Sequence, residues 1–96
     1  MPKFDNQGRL TIPYDLSKKI NWDHPKELAF CYDFESKVLS FCDSSDINNK
    51  NVLSIRSTDH KGRFFLPKEL LDTLGIPRDS KFIIFLKNNE FIIKVM

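Results

Sequence analysis

The stretch FDNQGRLTIP at Phe4–Pro13 returns fifty-four positions later as TDHKGRFFLP at Thr58–Pro67, and this recurrence organises the whole chain. Aligning Asp5 with Asp59 places Gly8 on Gly62, Arg9 on Arg63, Ile12 on Leu66, Pro13 on Pro67, Asp15 on Glu69, Leu16 on Leu70 and Ile20 on Leu74 without a gap. Asn21 then falls on Gly75, and these two residue types best tolerate the left-handed conformation that ends a helix. Further along, ELAFCYDFESKVLSFC lies over KFIIFLKNNEFIIKV, with one extra residue expected in the first copy at a turn, where insertions are tolerated.

Each copy reads as the same string of elements. A short first strand is expected at Val52–Arg56 in the second copy and at Lys3–Phe4 in the first. It leads into Asp-x-x-Gly, where Asp bonds its own following backbone and Gly supplies positive φ. RLTI or RFFL follows as a short strand, and Pro13 or Pro67 is expected in the first turn of a brief helix. Leu70, Leu71 and Leu74 form the apolar stripe of the second helix, whereas the first keeps only Leu16 and Ile20. Two further strands close each copy as a hairpin, turning around Asp33–Lys37 and around Lys87–Glu90.

A unit of about 40 residues cannot bury enough apolar surface to fold alone. A second copy in the same chain supplies the missing half of a core. The expectation is one intertwined domain over residues 1–96, built from repeats 1–43 and 52–96 joined by the polar linker 44–51.

Composition bounds the function. The chain has 96 residues, 41% hydrophobic and 29% charged, as in ordinary globular domains, and no run of about 18 apolar residues crosses a bilayer. The N-terminus lacks a secretory pattern, so a cytoplasmic protein is expected, without a membrane partner. Cys31 and Cys42 are too few for a disulfide framework and read as reduced thiols on strands. Net charge is +2 but unevenly spread: residues 1–48 hold six Lys/Arg against eight Asp/Glu, and residues 49–96 hold nine against five. That distribution tilts mildly toward an anionic partner. His24, His60, Cys31 and Cys42 show no metal-ligand spacing, and no nucleophile motif or phosphate loop occurs. No cofactor, small-molecule substrate or enzymatic activity is expected.

Asp-x-x-Gly-Arg-β-x-(Ile/Leu)-Pro-x-(Asp/Glu)-Leu, then an aliphatic residue, an Asn or Gly cap and an apolar hairpin, resembles the SpoVT-AbrB family of swapped-hairpin transcription factors and antitoxins. The resemblance covers nearly the whole chain twice, and the tandem layout is similar to that of MraZ-like regulators. It implies an α+β, β-rich fold, a tandem swapped-hairpin barrel of two pseudo-twofold-related ββαββ halves. It also implies a nucleoid-associated regulator bound to double-stranded DNA, with a homo-oligomer possible. Carried over by position, Arg9 and Arg63 match the family's Gly-Arg and become the first candidates for DNA contact. Lys3 and Arg56 before each loop, Lys61 within the second loop, and the helix pair Lys18 and Lys19 join them. Asp72 and Thr73 occupy the places of Lys18 and Lys19 in the second copy, which makes the basic surface lopsided.

Each candidate also has a plainer role. Asp-x-x-x-Arg across a tight turn forms a local ion pair, Lys18 and Lys19 are solvated helix residues, and Trp22, matching Ile76, plugs the core over the helix end. The alternative function is a protein-interaction module, an antitoxin-like protein or an oligomerisation partner of a regulator. The ending FIIKVM reads as strand, unlike the acidic tail with which antitoxins of this fold wrap their toxins.

Overall fold

Short runs of β-favouring apolar residues build the two long hairpins. In the computed structural model, which describes residues 8–46, 51–77 and 79–95, β2 (Glu27–Asp33) pairs antiparallel with β3 (Val38–Asp43), and β6 (Phe82–Lys87) with β7 (Glu90–Val95). Asn88 and Asn89 both take positive φ (52° and 63°), the backbone that a two-residue hairpin turn demands. The first hairpin turns through Phe34–Lys37 and is therefore two residues longer, not one as the sequence alignment suggested. A difference of one would have exchanged the core and outer faces of a strand, so only an even insertion keeps Phe41 and Ile93 inward.

The remaining strands are β1 (Arg9–Thr11), β4 (Val52–Ser57) and β5 (Arg63–Phe65); the helices are α1 (Tyr14–Lys19) and α2 (Lys68–Leu74). Together they make a small β-rich α+β fold with two sheets. One has five strands in the order β4-β2-β3-β7-β6, and the other is the two-stranded ribbon β1-β5. The expected first strand at Lys3–Phe4 lies outside the described residues.

The ladders carry a pseudo-twofold relation. In the ribbon the central pair is Leu10 with Phe64, which are equivalent positions of the two copies. Between the hairpins the central pair is Ser40 with Ile92, again equivalent once the longer turn is counted. Exchanging the copies maps each ladder onto itself, so one approximate axis runs through both pairs. β4 of the second copy adds to β2 of the first, and β3 joins β7 across the axis.

The barrel expectation is corrected. Among the described residues the two sheets share no hydrogen-bonded ladder, and the ribbon packs as a separate layer. Its strands are three residues long, too short to bridge both edges of a five-stranded sheet.

The core sits between the ribbon and the inner face of the larger sheet. Phe30, Phe41, Phe64, Phe82 and Phe91 are fully buried, each contributing about 1.5–3 kcal/mol relative to exposure. Phe41 stacks on Phe91 at 5.0 Å between centroids and meets Phe64 at 5.2 Å. Trp22 closes one side at 5.0 Å from Phe91, and Leu16, Ile20, Leu71 and Leu74 pack against the cluster. Pro13 and Pro67 stand one residue earlier than expected, at the helix N-caps with extended ψ of 130° and 132°. Their carbonyls accept the first helical bonds, from Leu16 and Leu70. At the other ends Asn21 (φ 55°) and Gly75 (φ 65°) turn left-handed, and Trp22 and Ile76 donate back to the Ser17 and Leu71 carbonyls.

Candidate nucleic-acid interface

A two-stranded ribbon has two faces, and this one divides them by chemistry. Leu10 and Phe64 point into the core, while Arg9, Thr11, Arg63 and Phe65 form the outer face, Arg9 opposite Phe65 and Thr11 opposite Arg63. Both first-ranked arginines therefore stand on one surface, related by the pseudo-twofold. Sequence spacing cannot bring them together, since they are 54 residues apart; the ribbon pairing does.

Asp59 organises the second loop. Its Oδ1 accepts from the backbone N–H groups of Lys61 and Arg63, both at 2.9 Å. Its Oδ2 accepts from Arg63 Nε at 2.6 Å and also faces Arg9 Nη1 at 3.9 Å. The backbone N–H of Arg63 above all, then its side chain and the Lys61 N–H, hold this carboxyl at about 2, below the ordinary 3.8. Gly62 (φ 76°) donates its N–H to the Asp59 carbonyl at 3.1 Å, and Gly62 carbonyl accepts from Ile12 N–H at 3.0 Å, which extends the ribbon. The loop is thus closed on itself and tied to the other copy. The corresponding Asp5 lies outside the described residues.

The arginines are consequently oriented rather than waving in solvent. Their side chains are 19% (Arg9) and 30% (Arg63) exposed, and both face the Asp59 carboxylate. Lys61 is exposed at the loop tip beside them.

The other candidates are distributed differently. Lys18 and Lys19 end α1, where positive charge also suits the helix dipole, and Lys18 Nζ lies 6.0 Å from the ring centroid of the exposed Tyr14. Arg56 on β4 is committed to α2: it donates to Glu69 Oε1 at 3.0 Å and to Ser54 Oγ at 2.9 Å. Lys3 lies outside the described residues.

His24, weighed in the sequence only as a metal ligand, stands beside the loop, a place its position in the chain did not signal. Its Nδ1 stands 2.8 Å from Thr58 Oγ1, which also accepts from the Lys26 N–H at 2.8 Å, and a Cβ at Gly62 would stand 2.9 Å from His24 Nε2. Copy one thus buttresses the Arg63 loop of copy two. Burial holds this imidazole below its ordinary 6.5, against the pull of Asp59. Phe65, 53% exposed beside the arginines, was likewise unmarked, because in sequence it reads as one more core phenylalanine.

A shallow depression of about 440 Å³ lies elsewhere, lined by Tyr32, Asp33, Glu35 and Glu90 among others. Its acidic lining suits no anion, and among the described residues no group of three His, Cys, Asp or Glu could hold a metal. Cys31 and Cys42 are buried thiols. Among the described residues no helix is long and apolar enough to cross a membrane. No family model, curated protein or solved structure matches the chain.

Proposed function

We propose that the protein is a sequence-preferring regulator that binds double-stranded DNA through the β1-β5 ribbon. On this reading the two hairpins are swapped about the pseudo-twofold in the manner of tandem SpoVT-AbrB proteins, and residues 1–96 act as one intertwined domain without catalytic chemistry. The observation that carries the proposal is that Arg9 and Arg63 stand on one outer ribbon face, both against the Asp59 carboxylate. A two-stranded ribbon fits the major groove of B-DNA, where arginine pairs bidentately with guanine O6 and N7. Lys61, and Lys18 and Lys19 on one side, would meet phosphates and make affinity fall with salt.

Salt-dependent binding to a duplex library tests this. Arg9→Ala and Arg63→Ala should each weaken binding and flatten the slope of log affinity against log salt, by up to about one unit for each phosphate the protein no longer neutralises. Unchanged binding with a lowered melting temperature would leave these arginines a purely structural role.

One observation favours the alternative, a protein-interaction or oligomerisation module. Leu53 and Ile55 on β4 and Ile83 on β6 are exposed apolar side chains on the two edge strands of the larger sheet. A folded protein with no affinity for any duplex at low salt would move the assignment there.

A further inference from the structure

Exchanging the copies about the pseudo-twofold maps Arg9 onto Arg63, but it maps Thr11 onto Phe65. The outer ribbon face is therefore symmetric in its charges and asymmetric in its apolar content. Phe65 is 53% exposed and lies directly across the ladder from Arg9 and two residues along the same strand from Arg63.

The fold does not require an aromatic ring at this place. The equivalent position carries Thr11 on the same backbone, also exposed, and the ribbon is anchored from its other face by Leu10 and Phe64. A partner covering Phe65 must also accept two guanidiniums within a residue or two of the ring. A protein surface would need acidic groups beside an apolar socket, whereas the major groove of DNA offers both chemistries side by side: guanine O6 and N7 for arginine and the thymine 5-methyl for an apolar side chain.

Resting on the DNA-binding reading above, we infer that Phe65 is a specificity-determining residue, contacting a thymine methyl in one half of the site only. The preferred site is then asymmetric, with similar arginine contacts in both halves and a thymine preference in the Phe65 half. Lys18 and Lys19, replaced by Asp72 and Thr73 in the other copy, add a second inequality that acts on phosphates and not on base identity.

Removing the methyl group tests this directly. Two random-core duplex libraries, one containing thymine and the other 2′-deoxyuridine in its place, are bound to the full chain, selected and sequenced, and the affinities of the winners are measured. The wild type should enrich thymine at one position to one side of the arginine footprint. It should lose that enrichment with deoxyuridine, and affinity should fall about fourfold when the methyl is absent. Phe65→Ser should bind both libraries alike with the wild-type salt slope, and Phe65→Leu should retain part of the discrimination. Equal binding of thymine and deoxyuridine duplexes by the wild type, or full discrimination by Phe65→Ser, would overturn the inference while leaving DNA binding in place. So would a drop in sedimenting mass in Phe65→Ser with discrimination intact, because a second copy of the chain would then be what covers the ring. No binding of either library at low salt would remove the DNA-binding reading and this inference together.

Discussion

At Asp59 one carboxylate takes three hydrogen bonds and a longer ion pair, and the donors come from both copies of the repeat. The bond to Arg63 was legible as Asp-x-x-x-Arg spacing. That to Arg9 was not, because it depends on the ribbon register. The folded carboxyl titrates at about 2 against an ordinary 3.8, so its contribution is complete above 3.8 and is lost as pH falls through about 2. Asp59→Asn keeps an acceptor for the two backbone N–H groups but removes the charge. The melting temperature of this variant should lie below that of the wild type near neutrality, and the gap should close between pH 3.8 and about 2. A gap that stays constant across that window would show that the charge contributes nothing to folding.

The ribbon is the element on which both architecture and proposed function rest. Three residues per strand give it few hydrogen bonds of its own, so it is held by what its inner face buries. Phe64 is 1% exposed and lies 5.7 Å from Phe30 and 5.2 Å from Phe41, ring to ring. Phe64→Ala should therefore cost about 3–5 kcal/mol in denaturant unfolding. Phe65→Ala, one residue along on the outer face, should stay within about 0.5 kcal/mol, as surface substitutions usually do. Similar losses at both positions would mean that the faces are misassigned. The sequence RFFL placed a strand here, but two adjacent phenylalanines do not say which one faces the core. The Phe64–Leu10 pairing settles that.

Over the whole molecule, both sheets are assembled from strands of both copies. β4 extends the first hairpin, β3 joins β7, β1 joins β5, and His24 leans on the second loop. Residues 1–48 and 49–96 expressed separately should not unfold cooperatively as monomers, and mixing them should restore a cooperative transition. A half that melts cooperatively by itself would end the shared-core account. Local grammar was enough to establish the repeat, the hairpins, the helix ends at Asn21 and Gly75, and the candidate arginines, because turns, caps and short apolar runs are set by residues within a few positions of one another. The two-residue difference between the hairpin turns, the separation of ribbon from sheet, the meeting of Arg9 with Arg63 on Asp59, and the exposure of Phe65 were decided only by tertiary structure. Each depends on how strands distant in sequence register against one another, and that register is fixed by which alignment buries the phenylalanines together.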